Sequence, residues 1–212
     1  LNLSQMLDQV QVVLVETTLA ANIGSSARAL KTMGFKNLSV VNPRQSVGKQ
    51  AHAMAAGAID LLESVTLYQD LRQATAHAQL IVGLSGRARS LGQISLELTD
   101  AARQLSRTLM LSSNTPPKIA LVFGREDRGL TNDELALCDW LVHIEASEDY
   151  GVLNLSQAVQ VSCYALRRAL KEAMSASGAS DKLTAELGAS TPSSSETPAY
   201  LIEAGANQLY TP

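Results

Sequence analysis

KIALVFGREDRGL (118–130) joins an apolar run to a turn that is crowded with charge. The first half is apolar and follows the breaker pair Pro116-Pro117, so it predicts a buried strand. The second half places a glycine at the strand end, then four charged residues of both signs, then another glycine. Ligands of open α/β sheets bind outside the carboxyl ends of the strands, so this turn is a candidate site.

Similar apolar runs recur along the chain and alternate with stretches of helical spacing. Strands are predicted at 10–16, 37–43, 79–85, 118–124 and 140–146, and helices at 25–35, 51–62, 70–78, 95–110 and 153–173, with a capped helical turn from Thr131. Strands that alternate with helices over short connections predict an α/β fold, in which a parallel sheet is flanked by helices on both faces.

The length of 212 residues and a hydrophobic share of 46% suit one globular domain, which we expect over residues 1–175. Residues 176–212 include SASGAS and STPSSSETP, a composition rich in serine, threonine and proline. Such composition is typical of segments that cannot bury a core. We therefore expect a flexible linker and C-terminal tail over 176–212.

The charge of the chain is unevenly distributed. Residues 1–175 hold 16 basic and 16 acidic residues, so the net charge of −3 lies entirely in residues 176–212. A neutral domain can still carry a local basic face, and the total charge does not exclude a nucleic-acid partner.

The remaining composition predicts a cytoplasmic protein without a metal. No apolar run approaches the roughly 18 residues of a membrane span, and no signal-peptide pattern is present. Cys138 and Cys163 are expected to be free thiols in a reducing compartment. His52, His77 and His143 are scattered, with none spaced as metal ligands.

Four segments that follow predicted strands share glycine, small polar residues or arginine. They are TTLAANIGSSAR (17–28), GLSGRAR (83–89), GREDRGL (124–130) and SEDYGVLNLSQ (147–157). Glycine allows a ligand close to the backbone, and arginine and free N–H groups favour anions. The standard dinucleotide and P-loop motifs are absent, and GLSGR resembles a nucleophile elbow only superficially.

Three of these segments resemble the ordered motifs of a known family. NIGSSAR (22–28), LVFGREDRGL (121–130) and LNLSQAV (153–159) resemble those of the SPOUT-class, TrmH-type RNA 2′-O-methyltransferases. The longer run VVLVETTLAANIGSSARALKTMGFKNLSVVNP (12–43) is similar to the branch that methylates cytidine or uridine at anticodon-loop position 32 of tRNA. The similarity covers about residues 8–173.

The resemblance implies a C-terminal trefoil knot, S-adenosylmethionine bound within it, tRNA as substrate, and a homodimer whose active sites are each built from both chains. Two alternatives remain open. One is a 2′-O-methyltransferase for another tRNA position or for rRNA. The other is a catalytically inactive knotted dimer that only binds RNA.

The resemblance also implies roles for individual residues. Arg28 would grip a substrate phosphate and the developing alkoxide, because an arginine that stays protonated is a poor base. Asn22 would hold Arg28 or the ribose. Glu126 would order its loop, and Asn154, with Ser156, would contact substrate or the cofactor's carboxylate.

Two further sets of residues are expected to bind ligands. By resemblance, the cofactor pocket is lined by Leu84, Ser85, Gly86, Gly124, Ile144, Val152, Leu153 and Asn154. A side chain at Gly124 would collide with the cofactor, and Val152 stands where the family usually has a serine. Basic residues near strand ends are expected to contact RNA, namely Arg44, Lys49, Arg87, Arg89, Arg125 and Arg128.

Overall fold

A computed structural model describes residues 1–86, 93–111 and 116–188. The chain divides into two compact units, Leu1–Ser175 and Ala176–Pro212. All the strands and the candidate site described below lie in the first unit.

The first unit is built on a seven-stranded parallel sheet, in the order β3-β2-β1-β6-β4-β7-β5. The strands are β1 (Val10–Val15), β2 (Asn37–Val41), β3 (Thr66–Tyr68), β4 (Leu80–Ser85), β5 (Ile94–Glu97), β6 (Ile119–Phe123) and β7 (Trp140–His143). This confirms the predicted parallel α/β sheet. The two edge strands β3 and β5 were not predicted.

Helices cover both faces of the sheet. They are α1 (Leu3–Leu7), α2 (Ala20–Met33), α3 (Lys49–Ala55), α4 (Ile59–Glu63), α5 (Leu71–Thr75), α6 (Leu98–Leu111), α7 (Asn132–Leu135) and α8 (Leu155–Gly188). A 3₁₀ turn at Ala56–Ala58 separates α3 from α4, which confirms the turn that the sequence predicts at Gly57 within the stretch 51–62. Within the described ranges, no helix is long and apolar enough to cross a membrane.

The alternation of side chains along β1 explains why its sequence is apolar throughout. Val12 and Leu14 face one hydrophobic cluster, which includes residues of α2, α3, α6 and α8. Val13 and Val15 face a second cluster on the opposite side, with residues of α5 and of the segment around α7. A parallel strand that is buried on both faces has no polar face to show.

Helix α8 continues beyond the end predicted for it. The composition predicts a flexible segment from residue 176, whereas the backbone remains helical to Gly188. The stretch DKLTAEL (181–187) contains good helix formers, and these outweigh the serines before it. The rest of the predicted linker, residues 189–212, lies outside the described residues.

Close packing of α2 against α3 accounts for one glycine of the first motif. A Cβ on Gly24 would overlap with the backbone carbonyl group of Ala51. Gly24 is itself buried. Its missing side chain therefore serves the contact between the two helices, whereas the sequence pattern suggested an approach to a ligand.

Candidate active site

A cavity of about 270 Å³ opens where three neighbouring strands, β6, β4 and β7, end. Its walls come from the residues that follow each of these strands and from the first turns of α8. The lining residues are Leu84, Ser85, Gly86, Phe123, Gly124, Arg125, Glu126, Asp127, Arg128, Gly129, Leu130, Leu135, Ile144, Gly151, Val152, Leu153, Leu155 and Ala158.

One wall of the cavity is the turn 124–130. The backbone groups of Arg125 and Gly129 bond each other in both directions, with N···O distances of 3.2 and 2.9 Å. Gly129 has φ +71°, a conformation that favours glycine. A Cβ on Gly124 would overlap with the backbone of Gly129 and Leu130, so the turn itself already excludes a side chain at this position.

Glu126 joins this turn to the start of α2. Its carboxylate accepts hydrogen bonds from the Thr18 N–H (2.9 Å), the Thr18 hydroxyl (2.7 Å) and the Leu19 N–H (3.3 Å). A fourth comes from the side-chain amide of Asn22 (2.7 Å). Burial disfavours its charge, but the hydrogen bonds from Asn22 and Thr18 outweigh burial and lower the pKa of Glu126.

Asn22 extends the connection to the third motif. Its side-chain oxygen accepts a hydrogen bond of 3.0 Å from the amide of Asn154. The oxygen of Asn154 accepts from both the backbone N–H (2.9 Å) and the hydroxyl (2.7 Å) of Ser156, in the first turn of α8. Four side chains from three distant segments therefore form one continuous hydrogen-bonded chain.

Arg125 does not occupy the exposed position that we expected for an RNA-binding residue. Only 5% of its side chain is accessible, and it forms ion pairs with Glu16 (2.9 Å) and Glu134 (2.8 Å). The guanidinium is therefore not available to a phosphate in this arrangement. Glu16, at the end of β1, and Glu134, in α7, hold the guanidinium in its buried position. The side chain of Arg125 is therefore not part of the exposed basic surface that could bind RNA.

This ion-pair cluster predicts a dependence of stability on pH. The hydrogen bond from Arg125 lowers the pKa of Glu16 from 4.5 to about 2. Burial disfavours the charge of Glu134, but hydrogen bonds from Arg125 and Thr131 outweigh it and lower that pKa as well. A depressed folded-state pKa gives stability that is complete above the unfolded pKa and lost as pH falls through the folded pKa.

We therefore expect the thermal midpoint to fall as the pH is lowered from about 4.5 towards 2. The Glu16→Gln variant should start with a lower midpoint and lose less of it over this range, because one of the two titrating carboxylates is gone. Thermal unfolding followed by circular dichroism at several pH values measures both slopes. Equal slopes for the two proteins would contradict this assignment.

The structure brings most of the expected cofactor residues together. Seven of them line the cavity: Leu84, Ser85, Gly86, Gly124, Ile144, Val152 and Leu153. Asn154 does not line it, and its side chain bonds Asn22 and Ser156 instead. Val152 is 55% exposed, and its missing serine hydroxyl leaves an apolar patch at the rim.

Arg28 lies elsewhere on the domain. It is an exposed residue of α2, it does not line the cavity of its own chain, and its side chain makes no hydrogen bond or ion pair with any described residue. Its guanidinium is thus free to bind an anion. The position of Arg28 outside the cavity means that one chain alone does not complete the predicted constellation.

The remaining residues expected to bind RNA are only partly described. Arg128 is exposed and pairs with its neighbour Asp127, while Lys49 begins α3 and is exposed. Arg44 is exposed and pairs with Glu16 at 3.3 Å. Arg87 and Arg89 lie outside the described residues.

Sequence reasoning missed several lining residues, among them Phe123, Leu130, Leu135, Gly151, Leu155 and Ala158. Most are apolar residues of strands and helices that read as ordinary core. Gly151 carried a usable signal, because it lies two residues before the third motif. Within the described residues, no group of three or more histidine, cysteine or acidic side chains could hold a metal ion.

Comparison with known proteins identifies relatives of this chain. Over 162 residues, the chain is 43% identical to the tRNA (cytidine/uridine-2′-O-)-methyltransferase TrmJ of Sodalis glossinidius and 45% identical to that of Pectobacterium atrosepticum. The match covers 76% of this chain and 62% and 65% of those two proteins, so the chain spans less than two thirds of their length.

A solved structure of a probable methylase family protein from Haemophilus influenzae is 39% identical, with a TM-score of 0.71. That likeness covers 77% of this chain and 67% of the other. The model of the SpoU rRNA Methylase family matches residues 9–164, which include all three sequence motifs and all seven strands. On this match and these relatives, the chain belongs to the SpoU rRNA methylase family.

Proposed function

We propose that this chain methylates a ribose 2′-hydroxyl of tRNA, at cytidine or uridine 32 of the anticodon loop, with S-adenosylmethionine as methyl donor. The observation that carries the proposal is the hydrogen-bonded chain from Glu126 through Asn22 to Asn154, beside the cavity. The names of the TrmJ relatives support the substrate and the ribose position. We place the activity in the cytoplasm, where tRNA is modified.

The cavity suits S-adenosylmethionine in its mixture of surfaces. Leu84, Phe123, Leu130 and Ile144 supply apolar side chains for an adenine ring, and Gly86 and Gly151 bring polar backbone groups to the lining. Glu126 and Asp127 supply negative charge for a cationic ligand. The shape and chemistry of the lining therefore fit this donor.

When bound, S-adenosylmethionine supplies an electrophilic methyl group on a positively charged sulfur. The protein must then make a ribose hydroxyl more nucleophilic and stabilise its developing charge. We assign this to Arg28, whose unpaired guanidinium can hold a phosphate and the forming alkoxide together. The phosphate or a water molecule takes the proton.

Asn22 and Asn154 hold the surroundings of this step in place. Asn22 donates to Glu126 and accepts from Asn154, so its amide orientation is determined from both sides. Asn154 in turn accepts from the backbone of Ser156, which attaches the network to α8. Groups fixed in this way need no rearrangement when the substrate arrives.

We also propose that the enzyme is a homodimer and that its chain forms the trefoil knot typical of the family. By resemblance to the family, Arg28 of a second copy would complete each site, which agrees with its position outside the cavity of its own chain. The predicted basic residues Arg44, Lys49, Arg87, Arg89 and Arg128 would bind the tRNA backbone.

Nucleoside mass spectrometry tests the proposal. Unmodified tRNA and rRNA are each incubated with the enzyme and S-adenosylmethionine carrying a labelled methyl group, then digested to nucleosides. We expect labelled 2′-O-methylcytidine or 2′-O-methyluridine from tRNA, mapped to position 32. Label in rRNA alone would show that the substrate is rRNA, as in the description of the family, and not tRNA. No label in either, with no calorimetric binding of the donor, would refute the proposal.

A further inference from the structure

Arg125 makes four side-chain hydrogen bonds from a buried position. Its Nε–H donates to Glu16 (2.9 Å), and its two terminal nitrogens donate to the two oxygens of Glu134 (2.8 Å each). The fourth bond reaches the carbonyl of Gly129 (3.3 Å), at the other end of its own turn. The guanidinium thus connects the end of β1, the cavity wall and α7.

Glu134 is itself held in place by a second set of contacts. Its carboxylate accepts the Thr131 N–H (2.7 Å), and its own N–H donates to the Thr131 hydroxyl (3.3 Å), which forms a capping box at the start of α7. The carboxylate that receives the arginine fork therefore has a determined orientation. A fork of this kind fixes angles as well as distances.

Arg125 and Glu126 anchor the turn in two directions. Arg125 connects to Glu134 and Glu16, while Glu126 connects to α2 through Thr18 and Asn22. Both residues also line the cavity. The position of the cavity wall is thus determined by two consecutive side chains. Only the second, Glu126, belongs to the hydrogen-bonded chain that continues through Asn22 to Asn154.

We infer that Arg125 is a positioning residue for the methyl donor, and that it acts by holding the turn 124–130 in the shape that accepts this ligand. The inference rests on the proposed use of S-adenosylmethionine. It replaces the RNA-binding role that the sequence suggested. The buried guanidinium of Arg125 bonds two carboxylates and one carbonyl, and in this way it holds the cavity wall in position. We expect no effect of Arg125 on the surface that binds RNA.

The Arg125→Lys variant tests this inference, because lysine keeps the charge but cannot form the planar fork. We expect the KM and the Kd for S-adenosylmethionine to rise about tenfold, the effect of losing one charge-assisted hydrogen bond. The kcat at saturating donor should change by less than about threefold, since the catalytic groups are untouched. Affinity for tRNA should remain that of the wild type.

Two further variants make the result decisive. Glu134→Gln weakens the same fork from its other end and should raise the same KM, which decides the matter if Arg125→Lys does not fold. Arg103→Lys alters an exposed arginine of α6 that pairs with Asp100, and should leave all constants unchanged. Both Arg125→Lys and Glu134→Gln are checked by circular dichroism and thermal unfolding.

The outcomes separate this inference from the proposed function. If the wild type fails to bind the donor, the proposed function fails. If the wild type binds it and folded Arg125→Lys and Glu134→Gln bind it equally well, the positioning role is wrong. A lower kcat with unchanged KM, in proportion to the folded fraction, would likewise leave Arg125 with a role in stability alone.

Discussion

Replacement of Arg28 by alanine should lower methyl transfer to tRNA by about 10³-fold while the affinity for S-adenosylmethionine stays close to that of the wild type. The size of the loss is that of one group which stabilises charge in the transition state. The donor affinity is spared because the proposed role of Arg28 is to hold the substrate phosphate and the forming alkoxide, and not the donor. Single-turnover methylation assays and calorimetry measure the two quantities.

The fold of this variant is expected to be intact, because the Arg28 side chain is exposed and contacts no described partner. The Arg103→Ala variant is a suitable control, since it removes an exposed arginine of α6 that pairs with Asp100 and does not line the cavity. Turnover near that of the wild type in Arg28→Ala would overturn the role assigned to the guanidinium. A parallel loss of donor binding would place Arg28 in the cofactor site instead.

Replacement of Gly124 by alanine should both destabilise the protein and weaken donor binding. The added methyl group would overlap with the backbone of Gly129 and Leu130, so the turn must move as a unit. Overpacking of this kind costs about 1–3 kcal/mol. If this free energy is lost from the complex in which the turn 124–130 contacts the donor, the affinity for the donor falls by about 5- to 150-fold. Calorimetry and thermal unfolding measure the two effects.

Gly57→Ala is the matched control, because nothing lies within 4 Å of a Cβ at that position. It should leave both the thermal midpoint and the donor affinity unchanged. A Gly124→Ala protein with wild-type midpoint and affinity would show that the turn accommodates the methyl group. The close approach described here would then have no bearing on the site.

The sequence was sufficient for five of the strands, and the resemblance identified seven of the residues that line the cavity. Five strands were predicted because each is an apolar run of a length typical of a buried strand. The edge strand β5 (Ile94–Glu97) was assigned to a helix, because an edge strand pairs on one side only and its residues are half polar. The edge strand β3 (Thr66–Tyr68) was assigned to no element, because a run of three residues is too short to predict.

The partners of charged side chains could not be predicted in the same way. Arg125 and Arg128 stand three residues apart in one turn, yet the first is buried and the second exposed. The difference is made by Glu134, nine positions away, and by Glu16, which is 109 positions away in sequence. The bond between Asn22 and Asn154 spans 132 positions. Local pattern contains no information about such contacts, and only the resemblance indicated that these motifs meet.

The strand order has a consequence for how the chain folds during its synthesis. Strand β6 lies between β1 and β4, but it follows β1 through β5 along the chain. While a ribosome is still making residues before 119, β1 to β3 can pair with one another, whereas β4 lacks both of its neighbours. The nascent polypeptide therefore exposes unpaired, apolar strand edges until β6 emerges. The yield of folded protein should therefore depend on how well such edges are shielded during translation.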